Sequence, residues 1–185
     1  MHNKQASCQQ GFTLIELMIT IAIIAIVLSL AVPSFNDFFE KNRLKRAAEE
    51  TYGLVTKARA EGVIRSADMA VDVDTGEWCV GYAAGGCDCT ETDPDVAGAC
   101  AVPVGDDADG NPEMVLQAID GTSFAGVDMT TGSDISFNHV KGTAGPGRVT
   151  LAADAWILEV IVSNMGLVRI CAHADSRTTM GYPEC

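Results

Sequence analysis

Apolar residues run without a charge from Leu17 to Val32 and the run is closed by Pro33. Counted from Phe12, the stretch is long enough to cross ~30 Å of hydrocarbon as a helix. Beyond Pro33 the run becomes a period. Leu44, Ala47, Ala48, Thr51, Val55, Ala58 and Gly62 recur at steps of three and four, which marks an amphipathic helix. One helix is therefore predicted from about Phe12 to about Val63, roughly 75 to 80 Å long at ~1.5 Å per residue. Its second half must pack against something outside a bilayer. Pro33 is expected to kink this helix rather than end it, because the Ser29 hydroxyl is in reach of the freed carbonyl.

After Ser66 the pattern changes to short alternating runs: Met69 to Val73, Trp78 to Tyr82, Met114 to Ile119, Ile135 to Val140, Arg148 to Leu151, Trp156 to Val162 and Leu167 to Cys171. These predict strands. Asp74-Thr75-Gly76 and Asn164-Met165-Gly166 read as hairpin turns, with glycine free to take positive φ. Residues 83–112 are rich in Gly, Asp, Pro, Ala and Cys without periodicity, so a long stapled loop is expected there. The fold class that follows is α+β, a long N-terminal helix packed on an antiparallel β-rich domain. The boundaries are 12–33 for the membrane-spanning half of the helix, 34–65 for its amphipathic half and 66–185 for the β-rich domain.

At 185 residues and 48% apolar composition the chain suits one domain with an appendage. The 25 acidic against 12 basic residues leave a formal charge of −13. Such a surface repels nucleic acid and anionic membranes unless cations are gathered on one face. Seven cysteines fall into one early outlier, Cys8, and six later ones: Cys79, Cys87, Cys89, Cys100, Cys171 and Cys185. The later six read as a disulfide framework of an exported domain, with the connectivity left open. Zinc would want paired CxxC spacing and histidine, and only Cys87-Asp88-Cys89 comes near it. Cys171 and Cys185 are placed to close a short C-terminal loop.

The stretch from Asp106 to Glu113 sets Asp107, Asp109 and Asn111 at alternate positions, a spacing that suits calcium, although a solvated acidic loop has the same look. No other cofactor is expected. His139 and His173 are solitary, and neither a nucleophile elbow nor a phosphate-cradling glycine loop is present, so no enzyme is expected.

Two features bear on topology. Lys4 followed by the apolar run and Ser29-Leu30-Ala31 has the layout of a cleaved secretory signal, but such a signal has no use for Glu16 at the start of its apolar segment. Lys41, Arg43, Lys45 and Arg46 would by the positive-inside rule hold the C-terminus in the cytoplasm. The six cysteines and the length of the following domain favour export instead.

Gly11-Phe12-Thr13-Leu14-Ile15-Glu16 ahead of the apolar run resembles the class III leader junction of type IV pilins and type II secretion pseudopilins. The resemblance implies a leader, residues 1–11, cut by a prepilin peptidase between Gly11 and Phe12, with methylation of the new terminus. It gives Pro33 its place in the helix. Glu16 acquires a role too, since a carboxylate in low dielectric needs a partner, and the Phe12 amino group of a neighbouring subunit supplies one.

The β-region is similar to the GspH/FimT branch at Glu77-Trp78-Cys79-Val80-Gly81-Tyr82, Ile135-Ser136-Phe137-Asn138, Arg148-Val149-Thr150-Leu151 and Ser163-Asn164-Met165-Gly166-Leu167-Val168-Arg169-Ile170-Cys171. This implies a minor pilin or pseudopilin of a type II secretion pseudopilus or type IV pilus. Its partners would be other pilins, the peptidase and the inner membrane, with the C-terminal domain periplasmic or extracellular. Some FimT-like members resemble DNA receptors that use a Gly-Arg-Val-Arg stretch at this last position. Here Leu167 replaces the first arginine, leaving Arg169 on that strand face and Arg177 downstream. DNA contact is thus the alternative function, set against a strand arginine paired with an acid.

Overall fold

The computed structural model describes residues 12–106 and 109–185, apart from the side chains of 30–34. It divides into two compact units, Met1–Phe39 and Glu40–Cys185. A single helix, α1 (Leu14–Arg65), contributes to both. Pro33 does not end it. The kink expected at that residue falls on side chains outside the described residues.

In the first unit the apolar side chains from Phe12 to Leu28 are all exposed, Phe12 at 84%. The Ser29 hydroxyl donates to Ile26 O at 2.7 Å and that of Thr20 to Leu17 O at 2.8 Å. Both serve carbonyls one turn back, so the serine is not used on its own freed carbonyl as the sequence suggested. Among the described residues no helix is long and apolar enough to cross a membrane. In the sequence the apolar run continues through Leu30, Ala31 and Val32.

In the second unit the period reads out as burial: Leu44, Ala47, Ala48, Thr51, Val55 and Ala58 are fully buried. Three alanines in this stripe allow close approach of the helix to its neighbours, and Thr51 satisfies its hydroxyl on Ala47 O at 2.8 Å. The helix stops because Ser66 takes φ 53°. Ala67 N–H then donates to Gly62 O at 3.1 Å and Ser66 N–H to Val63 O at 3.4 Å, the paired closure of a Schellman motif.

The strands are β1 (Met69–Asp74), β2 (Cys79–Ala84), β3 (Ala101–Asp106), β4 (Pro112–Leu116), β5 (Ala118–Asp120), β6 (Asp128–Gly132), β7 (Ile135–Phe137), β8 (Gly147–Ala153), β9 (Trp156–Val162) and β10 (Val168–Ala172). They form a sheet of order β5-β2-β1-β7, a second of order β10-β9-β8-β6 and a β3-β4 hairpin, with antiparallel pairing throughout. Val71, Val80, Tyr82 and Ile135 from the first sheet meet Val149, Leu151, Leu158 and Val160 from the second and the α1 stripe in one core. Each buried Val or Leu is worth roughly 1.5–3 kcal/mol of transfer free energy.

Several expected boundaries move. The expected loop 83–112 contains β3, so its irregular part is shorter. The run Met114 to Ile119 divides at Gln117. Ile135 to Val140 ends as a strand at Phe137, because Asn138 turns the chain by donating its N–H to Thr143 O and accepting from Lys141 N–H on its side chain. At the β1–β2 turn the positive φ lies on Trp78, 50°, and not on Gly76. Asp74 Oδ1 holds that turn by accepting from the N–H groups of Gly76 and Glu77. Gly166 does take φ 72°, as expected.

Candidate functional site

The N-terminal segment begins with Phe12 and Thr13 ahead of α1. Thr13 is the helix cap: its Oγ1 accepts from Glu16 N–H at 3.3 Å, one half of a capping box in which Glu16 is the third helical residue. A carboxylate in the first turn also faces the positive end of the helix dipole. The sequence reading missed this local role, although Thr-x-x-Glu ahead of an apolar run signals it. Glu16 is exposed, and among the described residues its carboxylate has no ion-pair partner. Gly11 and the leader lie outside the described residues.

The basic cluster that complicated the topology is absorbed by the second unit. Lys41 Nζ stands 4.8 Å from the ring centre of Trp156, with Arg177 at 5.5 Å from the same ring. Lys45 Nζ lies 5.9 Å from the Tyr182 ring, and Arg43 donates to Ala125 O at 3.2 Å. Arg46 pairs with Glu50 at 3.8 Å. Lys41, Arg43 and Lys45 bind the start of the amphipathic half to the β-domain, which weakens their reading as a cytoplasmic anchor. Arg177, named with Arg169 as a possible DNA contact, is thereby placed against Trp156.

Arg169 on β10 and Leu167, one residue ahead of that strand, are both exposed, Leu167 at 62%. Arg169 stands opposite Ile161 of β9, which in turn stands opposite Arg148 of β8. Arg148, not singled out beforehand as a DNA contact, is the strand arginine that meets an acid: its Nη1 is 3.6 Å from Glu159 Oε1. Glu159 is only 3% exposed, and Thr150 Oγ1 donates to it at 3.4 Å while His173 Nε2 lies at 3.8 Å. Ile161 therefore separates the two arginines, and the buried Glu159 carboxylate beside Arg148 lowers the local positive potential that a phosphate would need.

The six later cysteines form three disulfides, Cys79–Cys89, Cys87–Cys100 and Cys171–Cys185. The first two interleave in sequence and pin the chain after β2. A Cβ at Gly81 would stand 2.6 Å from Cys100 Sγ, so only glycine fits beneath this pair. Asp72 accepts from Cys89 N–H at 2.9 Å. Burial pushes the Asp72 carboxyl above its usual range against the pull of that hydrogen bond. Glu159, Cys171 and Cys185 come together as potential metal ligands, but both sulfurs are spent in the disulfide. Of the calcium candidates, Asp107 lies outside the described residues, and Asp109 and Asn111 are exposed. His139 accepts a structural role: its backbone N–H donates to Asp68 Oδ1 at 2.9 Å and its Nδ1 lies 2.7 Å from the same oxygen. These bonds hold the Asp68 carboxyl below the usual range.

Comparison with known proteins bears on both units. The family described as "Prokaryotic N-terminal methylation motif" matches residues 6–32, and that described as "Type II transport protein GspH" matches residues 47–166. A fimbrial protein of Pseudomonas aeruginosa is 34% identical over 127 residues, 66% of this chain and 77% of the relative. The type IV major fimbrial protein FimA of Dichelobacter nodosus is 29% identical over 107 residues, 53% and 67% of the two chains. Among solved structures, the type IV minor pilin FimU of Pseudomonas aeruginosa aligns with a TM-score of 0.46 at 18% identity, over 72% of this chain and 91% of that one. The minor pseudopilin EpsH of Vibrio cholerae aligns at 0.45 and 12%, over 70% and 97%. The chain belongs to the family of the type II transport protein GspH.

Proposed function

We propose that the mature subunit begins at a methylated Phe12, is held in the inner membrane by residues 12–33, and enters a type II secretion pseudopilus or type IV pilus by adding its N-terminal helix to those of other pilins. The observation that carries this reading is the first unit itself. Apolar side chains are exposed all round α1 from Leu14 to Leu28, with a carboxylate, Glu16, at the helix start that is unpaired among the described residues. Such a surface is stable only in lipid or against like helices. In either medium a carboxylate is costly until a cation meets it. The amino group of a neighbour's Phe12 meets that need and sets the axial stagger between subunits.

The methylation-motif match supports processing by a prepilin peptidase. Three disulfides support a domain displayed in an oxidising compartment. The subunit works by assembly and not by catalysis. His139 is engaged with Asp68, and His173 with Glu159 and Asp175. Glu16→Val tests the reading. The variant should insert and fold as before but crosslink poorly to neighbouring pilins, because valine suits lipid and only the pairing is lost. Undiminished crosslinking would remove the pairing from the account.

A further inference from the structure

The turn joining β9 to β10 is a meeting point of three elements. A Cβ at Gly166 would lie 2.8 Å from Gly142 O and 3.3 Å from Arg59 Nε, and Ala144 N–H donates to Asn164 O at 3.1 Å. The turn thus sits between α1 and the loop that follows β7. Three of the most exposed apolar side chains of the second unit stand here: Met165 at 81%, Val140 at 77% and Leu167 at 62%. Three cations bracket them. Arg59 comes from the helix side, Lys141 follows Val140, and Arg169 comes two residues after Leu167.

Among the described residues these three cations have no ion pair and no side-chain hydrogen bond. Every other described lysine and arginine meets a ring, a carboxylate, an amide or a carbonyl oxygen. On a chain of formal charge −13, free cations gathered around exposed apolar side chains are not a solvated average of the surface.

We infer that the β9–β10 turn is a docking surface for an acidic protein segment that carries apolar side chains, contributed by another chain. Charge complementarity would orient the segment on Arg59, Lys141 and Arg169, and Met165, Val140 and Leu167 would bury its apolar positions. A nucleic acid is the poorer occupant, because phosphates gain nothing from three exposed apolar side chains. The inference does not depend on the pairing of Glu16, since the surface lies wholly in the second unit.

The test uses the full chain in detergent micelles, with empty micelles as the blank. The probe is a labelled ten-residue peptide alternating glutamate and valine, compared with decaglutamate and a short DNA duplex. The peptide should bind, and Lys141→Glu and Met165→Ser should each weaken it about fivefold, the scale of one exposed contact. Both residues are exposed, so thermal unfolding should be unchanged in the two variants. Decaglutamate should bind more weakly than the alternating peptide. Equal affinity for decaglutamate, or an unaffected Met165→Ser variant, would overturn the apolar half of the inference. Duplex DNA binding more tightly than the peptide, and lost in Lys141→Glu, would assign the surface to a polyanion and overturn it entirely.

Discussion

Lys57 Nζ donates to Gln117 Oε1 at 2.6 Å, and the Tyr82 hydroxyl donates to the same oxygen at 3.1 Å. Gln117 is 6% exposed, and its backbone also serves two neighbours: its N–H donates to Cys100 O at 2.6 Å and its carbonyl accepts from Tyr82 N–H at 3.0 Å. One residue therefore joins α1, β2 and the disulfide-stapled segment. It divides the predicted run Met114 to Ile119 because its polar groups are committed in three directions.

Removing that amide leaves the Tyr82 hydroxyl buried without its acceptor. Gln117→Ala should cost about 2 kcal/mol, within the range for an orphaned buried donor plus lost packing. Lys57→Met should cost under about 1 kcal/mol, because Lys57 is exposed and the Tyr82 bond survives. Urea unfolding of the oxidised chain, read by tryptophan fluorescence, separates the two.

Alkaline pH reaches the same node. Burial, with Glu61 adding to it, pushes the Tyr82 phenol up to about 12. Tyr182 is likewise raised to about 12, first by burial and then by its 2.7 Å hydrogen bond to Glu49. An unfolded tyrosine ionises near ~10, so the folded state binds more protons between about pH 10 and 12. Stability should be full below about pH 10 and fall as pH rises toward 12. For the fully buried Tyr82 the loss is on the order of 2–3 kcal/mol. Unfolding midpoints measured from pH 8 to 12 should show that slope, and Tyr82→Phe should flatten it.

The amphipathic half of α1 was legible because burial follows a strict three-and-four period through Leu44, Thr51 and Ala58, which no other element imitates. The methylation motif over residues 6–32 was legible because Gly11 to Glu16 ahead of the apolar run resembles a prepilin junction. β3 was hidden, since Ala101–Asp106 contains Pro103 and Gly105 and is buried only at its first two residues. β6 was hidden too, because only Met129 of Asp128–Gly132 is buried, so no alternation shows. The positive φ at Trp78 had no signal in its residue type. Its ring explains it: the indole N–H donates to Val127 O at 2.9 Å and the ring stacks on Phe124 at 5.4 Å. Arg148 was missed because its partner, Glu159, is set by strand register and not by sequence spacing.

The C-terminal disulfide should act as a clasp on the tail. Cys171 and Cys185 are 14 residues apart, and the tail between them returns to α1 through Tyr182 and Glu49. Replacing both cysteines by alanine should cost about 3 kcal/mol on the loop-entropy scale. It should also make the segment after Ala174 cleavable by protease under native conditions. Limited proteolysis followed by mass analysis reads this directly, and an uncut tail would show that packing on α1 suffices.

The most direct test of the account is the identity of the mature N-terminus. Mass spectrometry of the chain extracted from membranes should find it beginning at an N-methylated Phe12, with Met1 to Gly11 and hence Cys8 gone. A chain beginning at Val32, after Ser29-Leu30-Ala31, would instead show a cleaved secretory signal, remove Glu16 and the exposed apolar helix from the mature protein, and contradict assembly through α1.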